Sequence, residues 1–529
     1  MHFTPDTTPL EVETGPNPQW SVIWLHGLGA DGNDFAPIVP ELVRPRWPAL
    51  RFIFPHAPVR PITINGGMAM RGWYDITSLD FASRQEDEAG IRACLNQLDR
   101  PVYAVSDGSQ VGLTVEGQES ASGSHMLLAS ALPLPAQNLG AASFRADHGV
   151  GLAYYAGAMA NAIASVDLVV ALGRAGLLGS FGAAGVIGPR LETAIQQIQA
   201  ALPNGPYAVN LIHSPSEEAM ERDAVALFLR YGVRTVEASA FLDLTPHVVH
   251  YRAAGLRRDA QGNVIAENRV IAKVSRHEVA RKFMEPAPDR LLQPLVQAGL
   301  ISAEQAEMAQ QVPVADDITV EADSGGHTDN RPLVVILPSI ISLRDEIQAQ
   351  RGYATPVRVG AAGGIGTASA ALAALMMGAA YVVTGSVNQS CVEAGASDHT
   401  KKLLSQADMA DVMMAPSADM FEMGVKVQLL KRGTMFPMRA QRLYELYREY
   451  DSIESIPADE REKLEKQILK RPMDDIWNDT VAYFMERDPE QITRAQDNPR
   501  RKMALIFRWY LGLSSRWSNT GEKGRELDY

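Results

Sequence analysis

The sequence predicts a (β/α)8 barrel, the TIM-barrel fold, over residues 141–440. Strand and helix signals alternate along this region, and eight apolar strand segments fall within about 300 residues, the count and size of such a barrel. Glycine-rich turns follow the last two segments, where this fold binds phosphate groups. Alternation of this kind indicates parallel strands joined by helical crossovers. A doubly wound sheet stays open as the alternative, because alternation alone does not show closure.

The composition is that of a globular protein with more than one packed unit. The chain has 529 residues, of which 46% are apolar and 21% charged, and this length exceeds one ordinary core. Its net charge of −13 argues against a general nucleic-acid-binding protein. The two distant cysteines, Cys94 and Cys391, provide neither a disulfide framework nor a cysteine metal site. We therefore expect a cytoplasmic protein, and the first residues lack the pattern of a signal peptide.

One stretch resembles a membrane segment in length. Between Arg358 and Glu393 no residue is charged, and this run is longer than a bilayer span. It is rich in glycine, serine and threonine, and its pattern is that of strand, turn, helix and strand. We therefore expect no membrane insertion.

Residues 1–95 differ in character from the rest and form a separate segment. An apolar strand, Ser21–Leu25, runs into the turn HGLGADGND, and a second strand begins at Arg51. The polar segment SRQEDEAG then precedes a change of pattern, which places a domain junction near residues 88–97. Residues 96–140 are expected to form a small β-rich lead-in to the barrel.

Each barrel element has its own signal. The eight strands are predicted, in order, in GLAYYAGA, LLGSFGAAG, YAVNLI, VRTVEAS, RVIAKVS, ITVEADS, VRVGAAGG and AYVVTGS. The insertion 275–318, between strands 5 and 6, has apolar residues at helical spacing and is expected above the barrel mouth as a lid. Long polar helices after the barrel predict a helical C-terminal region over residues 441–529.

The turns after strands 7 and 8 give the strongest chemical signal. Glycines let backbone N–H groups approach a ligand, and a helix that starts directly after them offers free donors to an anion. The alternative is that glycine serves only the tight turns, but two such turns side by side favour phosphate binding. The residues predicted to bind the cofactor there are Gly363, Gly364, Gly366, Thr367, Gly385 and Ser386.

A histidine follows strand 6 in the segment VEADSGGHTDNRP. Gly325 and Gly326 leave space for a flat or bulky group, and the imidazole of His327 can donate a proton near neutral pH. The alternative is a structural histidine bonded within its loop, with Asp323 and Asp329 as partners. A metal site is disfavoured, because no other histidine lies at a compatible local spacing.

Three further strand ends are expected at the same mouth. The small residues Gly157 and Ala158, with Met159, leave room for a ring system, and Asn210 offers both a donor and an acceptor. Lys273 offers a cation, which beside the pyrimidine edge of a flavin would stabilise the anionic reduced form. Each has a structural alternative: a core methionine, a loop-bonding asparagine and a lysine that snorkels to solvent.

Much of the chain resembles a known family. From about residue 92 to the end, it is similar to the trans-acting enoyl reductases of polyunsaturated-fatty-acid and trans-acyltransferase polyketide synthases. These belong to the wider nitronate monooxygenase (2-nitropropane dioxygenase) group. The matching stretches are LDRPVYAV, YAGAMANAIASVDLVVALGRAGLLGSFGAAG, VNLIHSP, NRVIAKVS, VEADSGGHTDNRP, VGAAGGIGTASAALAALMMGAAYVVTGSVNQ and APSADMFEMGVKVQLLKRGTMFP.

This resemblance implies an activity. FMN would be bound on the barrel, NADPH or NADH would be the reductant, and the substrate would be an α,β-unsaturated thioester on an acyl carrier protein. Hydride would pass from the nicotinamide through FMN to the β-carbon, and His327 corresponds to the family's active-site histidine. A nitronate monooxygenase, which uses FMN and oxygen, stays open as the alternative, and so does a homodimer.

The first 95 residues resemble the start of a phospholipase/carboxylesterase of the α/β-hydrolase fold, through HGLGADGNDF, FPHAP and RGWYDI. Such an enzyme needs a serine in a G-x-S-x-G turn, which this chain lacks. His26 and Leu28 could at most belong to an oxyanion loop, so a serine carboxylesterase is disfavoured. The C-terminal end is expected to be shorter than in the family, which leaves a gene fusion, a chimera, a truncated chain or an inactive fusion open.

A carrier protein is acidic and needs a basic surface. Two clusters of cations are candidates, and a solvated helix face is the alternative for both. They are Lys431, Arg432, Arg439 and Arg442, and Arg500, Arg501 and Lys502.

Overall fold

A computed structural model of the chain contains two compact units, residues 1–135 and residues 136–529. The residues that it describes are 9–16, 18, 20–24, 26, 29–43, 49–57, 59–63, 66–71, 102–106, 111–114, 126–131, 135–186, 188–213 and 218–529. The predicted junction near residues 88–97 lies outside the described residues, as do Leu28 and Cys94. Each unit has its own β-sheets.

The first unit contains short strands and short helices. Leu50–Phe54 is the central strand of a sheet and pairs in parallel with Trp20–Ile23 and antiparallel with Leu10–Glu13. Its side chains alternate between buried and partly buried, so Phe52 and Phe54 join one apolar cluster. The other elements are the helices Gly32–Phe35 and Val39–Leu42, the 3-10 turn Ala36–Ile38, the hairpin strands Val59–Ile62 and Met68–Arg71, and the antiparallel strands Val102–Ser106, Val111–Thr114 and Met126–Ala131.

Strands are present in this unit where the sequence predicts them. One begins beside Ser21 and one beside Arg51, and three lie within residues 96–140. The motif RGWYDI continues past Arg71 outside the described residues.

The second unit contains a closed barrel of eight parallel strands. Strand 8 pairs with strand 1, Val382 opposite Tyr154, which closes the barrel and excludes the doubly wound alternative. Barrel strands 1 to 8 are Tyr154–Ala156, Leu178–Phe181, Ala208–Ile212, Thr235–Ser239, Arg269–Val274, Asp317–Glu321, Arg358–Ala362 and Val382–Thr384. The predicted barrel is confirmed, and every strand begins and ends inside its predicted segment or one residue from it.

Helices surround the barrel. Ser165, Thr245 and Thr367 start three of them, because each side-chain oxygen accepts a backbone N–H of the first turn. Apolar residues of the helices pack on the strands in one continuous core, for example Ile195 and Ile198. The connecting helices are Val166–Arg174, Gly188–Ala201, Glu218–Tyr231, Pro246–Ala254, His277–Met284, Leu333–Arg351 and Ala368–Met376, and a hairpin of Leu256–Arg258 with Val264–Ala266 precedes strand 5.

The uncharged stretch after Arg358 is confirmed as strand, turn, helix and strand. It contains barrel strands 7 and 8 with the helix between them. In the described ranges, no helix is both long enough and apolar enough to cross a membrane.

The helix Ala142–His148, preceded by the 3-10 turn Ala136–Asn138, closes the amino end of the barrel. Phe144 is fully buried, and His148 Nε2 lies 2.8 Å from Asp317 Oδ2. Arg358 donates to both oxygens of Asp317, at 2.6 and 2.9 Å. Burial alone would raise the pKa of Asp317, but the charge and hydrogen bonds of Arg358, together with His148, lower it to about 2. This end is therefore sealed by a polar network, and the opening lies at the other end.

The insertion between strands 5 and 6 is helical, as predicted, but it is not a lid. Its helices are His277–Met284, Asp289–Gln297 and Ala303–Ala309. The second and third pack against the outer helix Pro246–Ala254, and Gln305 Nε2 donates to the Ala254 carbonyl at 3.0 Å. Their apolar faces belong to the core of the barrel wall. The expected position above the mouth is therefore wrong, because these faces are buried against the side of the barrel.

A small antiparallel sheet, called here the mouth sheet, stands at the mouth instead. Its central strand Lys426–Leu430 pairs with Val412–Pro416 and with the two-residue strand Gly326–His327. Gly326–His327 belongs to the loop after barrel strand 6, so the sheet is attached to the carboxyl end of the barrel. Gln428 Nε2 also donates to Asp323 Oδ1 in that loop, at 3.1 Å. Residues that follow the barrel in sequence thus complete its mouth.

The C-terminal region is helical, as predicted, but its packed body begins before residue 441. Ala415 and Phe421 belong to its core, and the helix Phe436–Glu449 spans the predicted boundary at residue 440. After the barrel the helical elements are Ser386–Ser390, Asp398–Leu404, Met409–Asp411, Phe421–Met423, Phe436–Glu449, Ala458–Lys463, the π-helical turn Leu464–Leu469, Met473–Arg487, Pro489–Gln496 and Pro499–Thr520.

Candidate active site at the barrel mouth

The predicted site residues lie at one end of the barrel. Parallel barrel strands share their carboxyl ends, and this face carries the active sites of the fold. It receives the ends of strands 1, 3 and 5 and the loops after strands 6, 7 and 8. The residues concerned are Gly157, Ala158, Met159, Asn210, Lys273, Gly325, Gly326, His327, Gly363, Gly364, Gly366, Thr367, Gly385 and Ser386. The structure brings them to one face, and their individual roles stay predictions.

The turn after strand 7 requires glycine at Gly363. Its φ is +93°, and a Cβ there would lie 2.6 Å from the carbonyl oxygen of Ala322. Because Ala322 directly follows strand 6, the loops after strands 6 and 7 are in contact. Only a residue without a side chain allows this approach.

The turn then opens onto free space beside a helix. A Cβ on Gly366 or on Gly385 would meet no atom of the described part of the chain within 4 Å. Thr367 caps the helix Ala368–Met376, and its Oγ1 accepts the Ala370 N–H at 3.1 Å. The first turn of a helix presents N–H groups and a positive dipole end to an anion. Space and donors therefore coincide where the sequence predicts a phosphate.

The loops after strands 6 and 8 also meet. A Cβ on Gly325 would lie 2.9 Å from Ser386 Oγ. Gly326 has a φ of +88°, and a Cβ there would meet no atom of the described residues within 4 Å. Open space therefore adjoins the loop after strand 6 as well.

A cluster of three charges lies among the strands at the mouth. Lys273 Nζ is 2.9 Å from Glu321 Oε1 and 3.6 Å from Glu237 Oε1. Burial would lower the pKa of Lys273, but the two carboxylates raise it above its ordinary value. Lys273 is therefore not the isolated cation that the sequence suggests, since it is already paired from both sides.

Sequence reasoning missed the two glutamates. Glu237 is fully buried, and its Oε2 accepts the Ala158 backbone N–H at 2.9 Å. A signal was present: Thr-Val-Glu-Ala occurs near the carboxyl ends of both strand 4 and strand 6, with the carboxylates at Glu237 and Glu321. These strands flank strand 5, where Glu237 is opposite Ile271 and Thr319 is opposite Lys273, so Glu237 and Glu321 approach Lys273 from its two sides.

The Asn210 side chain is hydrogen-bonded to the neighbouring barrel strand. It is buried, and its Nδ2 donates to the carbonyl oxygen of Glu237 at 3.0 Å and to Ser239 Oγ at 2.7 Å. Its amide nitrogen thus joins strands 3 and 4. Because both hydrogens of the amide nitrogen are engaged, only the amide oxygen of Asn210 would be available to accept a hydrogen bond from a cofactor.

The loop after strand 1 is fixed from two sides. A Cβ on Gly182, directly after strand 2, would lie 1.7 Å from the Met159 carbonyl oxygen. Only glycine therefore allows the backbone after strand 2 to contact the loop after strand 1. Asn161 has a left-handed φ of +56°. Its Nδ2 donates to Ser515 Oγ at 2.9 Å, and its carbonyl accepts from Asn519 Nδ2 at 3.2 Å. The long C-terminal helix therefore holds a loop of the predicted cofactor site, which the sequence did not indicate.

The backbone of His327 is fixed at the mouth, where it pairs with Val427 in the mouth sheet. The placement of its side chain lies outside what the structure describes. Asp323 accepts side-chain N–H groups from its own loop and from the mouth sheet. Asp329 is held by Arg276, at 3.0 Å for both contacts, and these bonds lower the pKa of its carboxyl despite partial burial. Both acids therefore contribute to the shape of the loop that carries His327.

The predicted basic clusters are mostly engaged in ion pairs within the chain. These pairs are Arg432–Asp411, Arg439–Asp528, Arg442–Glu460, Arg500–Asp451 and Lys502–Glu454. Lys431 is exposed and takes part in none of these pairs. A docking surface on the second cluster is thus disfavoured, and Lys431 is the strongest remaining candidate of the first.

Models of protein families match three stretches of the chain. Residues 154–445 match the nitronate monooxygenase model, which covers more than half of the chain and every barrel strand. The chain belongs to the nitronate monooxygenase family. Outside the barrel of this family member, residues 10–108 match the phospholipase/carboxylesterase model, and residues 450–529 match the inserted helical domain of [acyl-carrier-protein] S-malonyltransferase. These matches confirm that the chain joins a hydrolase-like segment to a barrel of the nitronate monooxygenase family.

Relatives of this family member include synthase components. It is 38% identical to the enoyl reductase domain of MlnA from the macrolactin biosynthesis cluster of Bacillus amyloliquefaciens, with a TM-score of 0.71 over 75% of this chain and 89% of that domain. It is 52% identical over 443 residues, 83% of this chain, to a polyunsaturated fatty acid synthase component of Thraustochytrium sp.. It is 46% identical over 397 residues, 75% of this chain, to polyketide biosynthesis protein PksE of Bacillus subtilis. The chain spans 29% and 51% of the lengths of these two curated relatives.

These relationships make this family member an oxidoreductase of the flavin-dependent type, and its mouth fits FMN. A phosphate would find open space in front of Gly366 and Gly385, helix N–H groups and the Ser386 hydroxyl. A ring system would find small residues at the end of strand 1. Glu237 Oε1 is buried and has no hydrogen-bond partner among the described residues, although Lys273 Nζ lies 3.6 Å away.

Proposed function

We propose that the chain is an FMN-dependent enoyl reductase that acts on α,β-unsaturated acyl thioesters carried by an acyl carrier protein. NADPH or NADH would be the reductant. The observation that carries the proposal is the glycine cradle after strands 7 and 8, where open space adjoins a helix N-terminus. The 38% identity and TM-score of 0.71 with the MlnA enoyl reductase domain support this reaction. The names of the synthase relatives support the substrate class.

FMN, when bound, would supply the hydride carrier between the nicotinamide and the β-carbon of the substrate. The chain's own residues would hold and orient it. The turn from Gly363 to Thr367 would bind the phosphate through backbone N–H groups, with Gly385 and the Ser386 hydroxyl opposite. Gly157–Met159 would leave room for the rings.

His327 is proposed as the general acid. A proton from its imidazole to the α-carbon, with the hydride at the β-carbon, saturates the double bond and balances the reaction. We expect His327→Ala to leave flavin reduction by NADPH intact and to slow enoyl reduction by about 10²- to 10⁴-fold. His277→Ala, on the outer helix His277–Met284, serves as the control. Equal enoyl turnover in the His327 variant would remove this residue from the mechanism.

The decisive experiment is a visible spectrum of the purified protein, with the released chromophore identified after denaturation. We expect about one FMN per chain, bleached anaerobically by NADPH and reoxidised by a crotonyl or longer enoyl thioester, with the saturated thioester as product. A protein that neither contains nor takes up FMN would contradict the proposal, and so would reduced flavin that an enoyl thioester fails to reoxidise.

Nitronate monooxygenase activity is the second candidate, because the model of that family matches residues 154–445. It shares the barrel, the FMN and the predicted histidine, but it requires oxygen and needs no NADPH. Turnover of a nitronate with oxygen uptake, by a flavin that NADPH does not reduce, would favour this function.

A further inference from the structure

We propose that Glu237 is a positioning residue of the flavin site. Its carboxylate holds both the backbone after strand 1 and the Lys273 side chain in place, and it adds a negative charge beside the proposed flavin. This inference rests on the proposed function, because it concerns residues proposed to face the flavin. It assigns a role to a side chain that none of the sequence motifs singled out.

The contacts of Glu237 join three barrel strands. Glu237 lies on strand 4 and is fully buried. Its Oε2 accepts the Ala158 backbone N–H, beyond the end of strand 1, at 2.9 Å. Its Oε1 lies 3.6 Å from Lys273 Nζ on strand 5. A shift of this carboxylate would therefore move two groups of the proposed site together.

The second oxygen of Glu237 has the ammonium of Lys273 as a charged neighbour. Oε1 is buried and has no hydrogen-bond partner among the described residues. A Cβ on Gly157 would lie 3.1 Å from Val383 Cγ1 and 3.8 Å from Oε1, so the end of strand 1 packs directly beside this oxygen. A purely structural acceptor for the Ala158 N–H needs no charge, and glutamine would serve. The negative charge of the carboxylate acts instead on Lys273, 3.6 Å away on strand 5.

The charges at this point do not cancel. Glu321 Oε1 is 2.9 Å from Lys273 Nζ, so one ammonium faces two carboxylates and the cluster carries a net negative charge. Reduction adds negative charge to a flavin, and nearby anions oppose it. Glu237 is thus expected to hold Lys273 in place and to lower the reduction potential of the bound flavin.

Two variants separate these effects. Glu237→Gln keeps an acceptor for the Ala158 N–H and removes the charge. We expect it to bind FMN but to favour the reduced flavin about tenfold more, a rise of about 30 mV in the two-electron midpoint potential. Glu237→Ala also removes the acceptor, and we expect its dissociation constant for FMN to rise about tenfold or more.

Glu221→Gln is the matched control. Glu221 is also a buried acid, but it lies on the outer helix Glu218–Tyr231 and binds His213 Nδ1 at 3.0 Å. We expect it to leave the potential and the FMN affinity unchanged. The readouts are the midpoint potential by dye equilibration and FMN affinity by fluorescence titration of apoprotein.

The outcomes are distinguishable. A Glu237→Gln protein with the wild-type potential would overturn this assignment and leave the proposed function standing. If Glu237→Ala does not fold, the glutamine variant decides alone. A wild-type protein that binds no FMN would overturn both proposals.

Discussion

The buried pair of Asp317 and Arg358 allows a quantitative test of how the barrel is held together at its amino end. Asp317 accepts two hydrogen bonds from Arg358 and lies 2.8 Å from His148 Nε2. Asp317→Asn keeps the size of the side chain but leaves the buried guanidinium of Arg358 with Asp147, whose Oδ2 it contacts at 2.5 Å, as its remaining carboxylate partner. Breaking a buried pair from one side costs about 3–5 kcal/mol, and because Asp147 still pairs with Arg358 we expect the free energy of unfolding at pH 7 to fall by an amount near the lower end of this range, about 3 kcal/mol.

The same contact predicts how stability changes with pH. The pKa of Asp317 is lowered from 3.8 to about 2 in the folded protein, because the charge and bonds of Arg358, with His148, outweigh burial. A lowered folded pKa stabilises the protein fully above about pH 4, and this contribution is lost as the pH falls toward 2. It amounts to about 2 kcal/mol in total, of which about 1 kcal/mol is lost at pH 3. The difference in the free energy of unfolding between the wild type and Asp317→Asn should therefore become smaller as the pH falls from 4 to 3.

Urea titrations followed by circular dichroism at pH 7, 4 and 3 would measure this gap. Asp451→Asn is the control, since the Asp451 side chain is 92% exposed and pairs with Arg500 only at the surface. We expect the control to change stability by less than about 0.5 kcal/mol. A variant at Asp317 within about 1 kcal/mol of the wild type at pH 7, or a gap that widens at pH 3, would refute the reasoning.

Three further predictions concern the mouth. Gly363→Ala should lower the melting temperature of the apoprotein, because its Cβ would lie 2.6 Å from a backbone carbonyl oxygen. Gly366→Ala should preserve the fold and weaken FMN binding, because its methyl group would occupy the space proposed for the phosphate. Calorimetry measures the melting temperatures and titration the FMN affinities, and equal changes in both variants would contradict the proposed phosphate site. Gln428→Ala, which loses the 3.1 Å bond to Asp323, should slow enoyl reduction more than flavin reduction in stopped-flow experiments. Lys431→Glu should raise the apparent KM for a carrier-bound enoyl thioester but not for a short soluble one, and an equal change in both would exclude a docking role.

The barrel could be predicted because its signals are local. Each strand is an apolar segment with a turn behind it, and each helix has its own start, as at Ser165 and Thr367. The carboxyl ends of parallel strands must share one face, so the predicted residues at Gly157, Asn210 and Lys273 had to lie near one another. Closure itself needed the structure, since it depends on the pairing of strand 8 with strand 1.

The failures concern contacts between segments far apart in sequence. Helical spacing showed that the insertion 275–318 is helical but not which surface its apolar face covers. Glu237 went unnoticed because an acid in a strand usually faces solvent, and only the fold turns it toward Lys273. The strand Gly326–His327 is two residues long, too short for a pattern, and its partner lies about a hundred residues later.

The tie between Asn161 and Asn519 has a consequence for biosynthesis. A nascent chain can close its barrel once strand 8 has left the ribosome, yet the loop after strand 1 must wait for the helix Pro499–Thr520 before it is fixed. Until then the glycine turns after strands 7 and 8 are present, but the loop after strand 1 is not yet held in place. Loading of the proposed FMN should accordingly follow the docking of the helix Pro499–Thr520.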